Sequence, residues 1–402
     1  MPKTVRLRSC CLTALVLSLL GFVGCAPAPE ISASMPRETI SASALCEKLD
    51  AVLESTYHRR LNLRDHAAWQ ILHGALAFKQ DFQVEREPDG ERVSAVEHLL
   101  AGGSLNGWTT EPGTLDERTG RRGLRAILEA GTKTGQGHPD QWLAVLAQCD
   151  LEPDQAIVTV DGTYTMADYV AQVQVDVPRN VSQEYSWTLI GLTAYLPTSS
   201  NWVAADGRPW SIERLVEIEL QHELATSACG GSHRLIGLAM ALNRHLDQGG
   251  ELTGVWFEAD QRIQRAIEDA RRFQNPDGSF STNYFARPGN SPDLAQNLGT
   301  TGHTLEFLTL AMTDERLVEP WMKQAVLHLC DLFHSTQDVA LECGKLYHAA
   351  HALVLYRERV FGKRRHGQTQ LNRPAATSSW RPAAARKSPG NSLSAHSIRA
   401  AF

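Results

Sequence analysis

Leu235-Ile236-Gly237-Leu238-Ala239-Met240-Ala241-Leu242 is apolar on every side, a pattern carried by a helix that is surrounded by protein. Downstream, Ile263, Ala266, Ile267, Ala270 and Phe273 form one stripe at helical spacing, opposite Asp260, Arg265, Glu268, Arg271 and Arg272. That is a helix with one face on a core and the other in water. Trp321, Ala325, Val326, Leu329 and Phe333 make a second such stripe. An all-apolar helix alternating with an amphipathic one predicts an inner and an outer ring of helices.

Working outward, the all-apolar unit recurs, each time opened by an aromatic residue or a histidine: Trp69, Trp142, Trp187, His233, His303 and His348. The spacings are 73, 45, 46, 70 and 45 residues, so each unit is a helix pair and two carry insertions. Six units predict an all-α fold, a closed α/α toroid rather than an open solenoid, whose end repeats would show atypical polar caps. Long alternating segments are scarce. The exceptions are short hairpins: residues 157–165, turning on Asp161-Gly162 as type I′, and residues 82–93, turning on Pro88-Asp89-Gly90.

Gln274-Asn275-Pro276-Asp277-Gly278-Ser279-Phe280 resembles the Gln-x-x-Asp-Gly-Ser-Phe turn of the α/α toroids, among them terpenoid cyclases, protein prenyltransferases and complement-type thioester domains. The resemblance spans about residues 142–362 and is densest over 229–356. It implies the fold and leaves the chemistry open. Cys229-Gly230-Gly231-Ser232 sits where thioester domains have Cys-Gly-Glu-Gln, but Ser232 replaces the thioester-forming Gln. The Asp-x-Asp-Asp cluster of the cyclases and the Asp-x-Cys pair of the prenyltransferase zinc site are both missing from the sequence.

The N-terminus predicts an address. A basic stretch with Lys3, Arg6 and Arg8 precedes an apolar run too short to span a bilayer, the pattern of a signal peptide. Phe22-Val23-Gly24-Cys25 resembles a bacterial lipobox, which implies lipidation at Cys25 and attachment to a membrane. Ala26 is not the Asp that retains many such proteins at the inner membrane, which points to the outer membrane of the cell envelope. The expected plan is a signal peptide at 1–25, a tether at 26–44, the toroid at 45–362 and a disordered basic tail at 363–402. Setting aside the leader and the tail, 28 basic against 45 acidic residues remain, which excludes a nucleic-acid-binding body.

Residues that open the inner helices gather at one rim of a toroid, where cavities form. Cys229, His233 and His303 are the candidate catalytic set: a thiol at a helix N-terminus with a histidine four residues on can act as nucleophile and base. His138, Trp187, Asn283, Tyr284 and His348 are candidate ligand-binding residues on the same rim. The sequence assigns no cofactor and no metal site; zinc is the metal these residue types suit, with His222, Cys229 and His233 as the candidate ligands. Asn201, Trp202, Trp210 and Arg287 add loop side chains suited to carbohydrate. The expected function is recognition or processing of an envelope or extracellular ligand, a glycan or an isoprenoid-like lipid. The rivals are a non-catalytic protein-binding scaffold and a Cys/His or zinc-dependent enzyme. Outside the cytoplasm, Cys46, Cys149, Cys229, Cys330 and Cys343 permit one or two disulfides and leave at least one thiol.

Overall fold

Short polar residues decide where many of the helices start. The computed structural model describes residues 40–364 and His366. Ser41 accepts from the Ala44 N–H and caps α1 (Ala42–Tyr57). After α2 (Ala68–Phe78), the hairpin β1 (Gln83–Glu85) and β2 (Arg92–Ser94) runs into α3 (Ala95–Leu100), which Ser94 caps. The hairpin β3 (Thr110–Asp116) and β4 (Arg121–Ala126) precedes α4 (Gln141–Ala147). β5 (Ala156–Thr159) and β6 (Gly162–Thr165) lead into α5 (Met166–Asp176), where Thr165 and Asp168 form a reciprocal capping box. Next come α6 (Ser186–Tyr195), the hairpin β7 (Asn201–Val203) and β8 (Pro209–Ser211), and α7 (Ile212–Gln221), capped by Ser211. The remainder is helical: α8 (Ser232–Asp247), α9 (Gly254–Arg272), α10 (Leu294–Ala311), α11 (Asp314–Leu317), α12 (Pro320–Ser335) and α13 (Cys343–Phe361).

The described chain is therefore helix-rich, with four small antiparallel hairpins. Six helices make the core. α2 packs on α4, α4 on α6, α6 on α8, α8 on α10 and α10 on α13, and α13 packs back on α2. Every residue of α8 from Ser232 to Leu242 is buried, as its apolar sequence requires. The other helices lie against this set with one face: α9 buries Ile263, Ala266, Ile267 and Ala270, and α12 buries Trp321, Ala325, Val326, Leu329 and Phe333. Phe280 is buried beyond the turn at Gly278, plugging it into the core as expected. The tightest approach is between α10 and α13, where a Cβ on Gly302 would stand 2.6 Å from the Cβ of Ala349.

Some expectations need correction. The hairpin at 156–165 turns on Val160-Asp161, because Thr159 pairs with Gly162, and the positive φ falls on Gly162 instead of on the two central residues that a type I′ turn needs. Two hairpins, β3/β4 and β7/β8, went unpredicted. β3/β4 has little apolar alternation because polar groups of α5 hold it: Thr114 N–H donates to Gln172, and Arg121 and Arg125 pair with Asp168 and Asp176. Residues 42–44, read as tether, are the first turn of α1. The packed chain also runs past 363. Arg364 pairs with Asp50 and Glu54, and His366 is buried against the rings of Tyr57 and Phe78. All five cysteines among the described residues are free thiols. The segments expected to be a signal peptide ending at Cys25, a tether and a basic tail fall, up to residue 39 and from 367 on, outside the described residues. No described helix is long and apolar enough to cross a membrane.

Candidate functional site

Five of the six core helices, and the turn that leads into the sixth, each bring one ring to the same place. His73 comes from α2, Trp187 from α6, His233 from α8, His303 from α10 and His348 from α13, while His138 comes from the turn just before α4. His233 lies at the centre: its ring centre is 4.9 Å from Trp187, 5.4 Å from His138, 5.4 Å from His303 and 5.5 Å from His348. His303 and His348 are 4.3 Å apart. His138, His233, His303 and His348, expected at one rim, lie together, while His73 and His138 stand in the cluster for α2 and α4 in place of Trp69 and Trp142. His303 is nonetheless not in the first turn: α10 begins at Leu294, so this histidine reaches the cluster from the helix interior.

Cys229 reaches the cluster from a strained turn. Cys229, Gly230 and Gly231 have φ values of 49°, 61° and 81°, three left-handed residues in succession before α8 starts at Ser232. A left-handed non-glycine residue costs about 1–2 kcal/mol, so the surroundings must impose it. Ser232 Oγ donates to the Cys229 carbonyl at 2.9 Å. Arg234 Nε donates to Ser227 Oγ at 2.8 Å, and Arg234 also reaches Glu219 at 2.6 Å. Tyr284 covers the turn from the other side: a Cβ on Gly230 would fall 2.3 Å from its ring. Cys229 is thus not a residue of the helix, and it meets His233 through the turn and not through helical spacing.

The electrostatics follow from burial against partners. Burial pushes the Cys229 thiol up, but His303 and then His233 outweigh it and hold the thiol well below its usual range. His303 is pulled down by burial, yet the Cys229 sulfur and Glu306 raise it to about 9. Its Nδ1–H donates to the Gly299 carbonyl at 2.8 Å, which leaves Nε2 for Cys229. Burial lowers His233 to about 4, so it is neutral near pH 7. It feels the Cys229 sulfur, but neither ring nitrogen makes a hydrogen bond of normal geometry. The Tyr284 hydroxyl bonds the same sulfur, and burial with that neighbour pushes its ionisation far up.

Two carboxylates orient further histidines. Glu184 Oε2 accepts from His138 Nδ1 at 3.0 Å, and against burial this raises His138 above its ordinary value. Glu306 accepts from His348 at 2.8 Å and from His351 at 2.6 Å. Burial raises Glu306, but the two histidines overcome it and hold the carboxyl well below the usual range. The set Cys229, His138, Glu184 and Tyr284 is only partly buried, so the cluster can be approached at this end. Sequence reading found neither Glu184 nor Glu306, although a carboxylate three residues after His303 in an otherwise apolar helix was a visible signal.

Other expected residues fall elsewhere. His222 is absent from the cluster; its carbonyl accepts from Arg262, so the proposed His222, Cys229, His233 zinc set is broken. Asn283 is tied into its own loop, its amide donating to the Pro288 carbonyl. Trp187 is buried as a wall against His233 and offers no exposed stacking face. Trp210 is likewise buried against Tyr185, and Trp202 donates to the Gln174 carbonyl.

Asp140, beside His138 in sequence, supplies a test of burial. Its carboxylate accepts from Thr188 Oγ1 at 2.5 Å, and burial pushes its pKa up to about 6. A carboxyl raised above its unfolded value of about 3.9 favours the fold below that value, and the contribution is lost as pH rises through the folded value. Asp140→Asn tolerates the same left-handed backbone (φ 59°) and carries no charge. It is expected to stabilise the chain by about 1–2 kcal/mol at pH 8 and by nearly nothing at pH 4. The difference in Tm between the two proteins across that range checks it.

Comparison of the chain with protein-family models, with curated proteins and with solved structures finds no match. What the cluster can do chemically therefore has to be argued from its own residues.

Proposed function

We propose that this chain is an α/α toroid of six helix pairs, held outside the cytoplasm by lipid on Cys25, whose thiol and histidine cluster catalyses acyl transfer or hydrolysis on an envelope ligand. The cycle of contacts from α2 through α13 and back to α2 supports the toroid. The observation that carries the activity is the gathering of rings from the core units around His233, with the Cys229 sulfur set against His233 and His303. A scaffold has no use for a strained thiol facing two imidazoles, with a carboxylate-oriented third histidine next to them.

The roles follow from position. Cys229 Sγ attacks the acyl carbon of an ester or amide, and His303 passes the thiol's proton to the departing alcohol or amine. A thioester on Cys229 results. His138, oriented by Glu184, takes a proton from water as that water attacks the thioester; the acid is released and the proton returns to the sulfur. The burial of the cluster strengthens each of these interactions.

Alkylation of the metal-stripped full chain tests the reading. With iodoacetamide at pH 7 and quantitation of each cysteine by mass spectrometry, Cys229 is expected to react at least ~100-fold faster than Cys149 and Cys330, since only thiolates react appreciably. Burial pushes both of those thiols up to about 12. A Cys229 that stays inert until the protein unfolds would sink the enzyme and leave the binding scaffold.

A further inference from the structure

We infer that Cys229, His233 and His303 form a Zn(II) site, and that its occupancy switches the Cys229 thiol off. The inference rests on the reading of this cluster as the reactive centre and adds its regulation. The sulfur and one nitrogen from each histidine lie within 4.8 Å of one another. Around a tetrahedral zinc, with about 2.3 Å to sulfur and about 2.0 Å to nitrogen, such atoms stand roughly 3.5 Å apart. Small side-chain rotations close that gap.

Two further observations point to a ligand. His233 is 5% exposed, and neither of its ring nitrogens makes a hydrogen bond of normal geometry, its near neighbour being the Cys229 sulfur, so a buried imidazole is aimed into the cluster at the thiol. His303 has its other nitrogen fixed on the Gly299 carbonyl, the outer contact that sets the tautomer and ring orientation of a metal-bound histidine. One thiolate and two imidazoles favour Zn(II) over the oxygen-seeking Ca(II) and Mg(II). With three protein ligands the fourth position stays open, as in exchangeable sites. A sulfur bound to zinc shares its negative charge with the metal, so it attacks carbon more slowly than the free thiolate.

His138, Glu184 and His233 make an overlapping group of the same extent. Because His233 belongs to both groups, substitution tells them apart. Zinc added to the chelator-treated full chain is expected to bind with one equivalent by titration calorimetry, and to slow iodoacetamide labelling of Cys229 at least ~10-fold. Cys229→Ser and His303→Gln are each expected to weaken zinc binding at least ~10-fold, while Glu184→Gln and His222→Gln leave it within a factor of two. If a variant does not fold, Co(II) added to the unaltered chain gives the same information: a sulfur-to-cobalt charge-transfer band reports the thiolate ligand. Failure to bind zinc stoichiometrically, binding that survives Cys229→Ser, or a cobalt complex without that band would overturn the site. Rapid labelling of Cys229 that zinc leaves unchanged would remove the switch and leave the proposed activity standing. A Cys229 inert in metal-free protein would instead remove the activity, with zinc binding still decided by calorimetry.

Discussion

Glu219→Ala is expected to destabilise the chain by about 3–5 kcal/mol, because it leaves the Arg234 guanidinium buried without its partner. Both side chains are almost fully enclosed and meet at 2.6 Å. The same carboxylate accepts from the Tyr185 N–H at 2.6 Å and from Ser186 Oγ at 3.0 Å. One residue of α7 thus fastens the start of α6 and the start of α8. Burial nevertheless pushes the Glu219 carboxyl above its ordinary value even with Arg234 beside it. The ion pair is therefore a positioning device more than a source of net stability, and the double variant Glu219→Leu/Arg234→Met is expected to recover most of the loss. For a domain of this size the single variant lowers Tm by about 4–8 °C. Thermal unfolding of the single and double variants checks the stability. Labelling of Cys229 checks the consequence for the site: it is expected to be slower than in the unaltered chain in the double variant, where Ser227 has lost the Arg234 donor that holds the strained turn. Rapid labelling there would show that the turn holds itself.

Glu306→Ala is the second large effect, about 3–5 kcal/mol, since two buried imidazoles lose their shared acceptor and a cavity opens between α10 and α13. Glu306→Gln keeps the shape and an acceptor, and is expected to cost about 1–2 kcal/mol. The pH dependence separates charge from shape. A carboxyl held below its unfolded value contributes stability that is fully present above about pH 4.3 and is lost as pH falls through the folded value. The unaltered chain and Glu306→Gln should therefore differ fully at pH 7 and converge on acidification below about pH 4, as measured by denaturant unfolding. A gap that persists unchanged in acid would mean that packing and not charge is at stake. Because the His348 ring lies 4.3 Å from His303, the alanine variant is also expected to slow labelling of Cys229.

Much of the architecture was legible because it is periodic. The all-apolar run at 235–242 and the stripe at Ile263, Ala266, Ile267 and Ala270 are properties of successive residues, and burial in the structure follows both. The six positions from Trp69 to His348 likewise marked the six helices of the core. The hairpin between β3 and β4 escaped because its strands are held by charged side chains of α5, which leave no alternation to read.

By itself the sequence marked the six enclosed helices and two of the amphipathic ones, and pointed to one region for Cys229, His233, His303, His138 and His348. These follow from spacing along the chain, where neighbours are three or four residues apart. Tertiary structure alone decided that Glu306 serves two histidines of α13, that Glu184 orients His138, and that Glu219 fastens Arg234. It also excluded His222 and tied up Asn283. A buried charge needs a partner wherever the fold brings one, and the partner of each of these groups stands on a different segment, 15 to 46 residues away. Nothing in local spacing encodes that choice; the packing of one core helix against the next does.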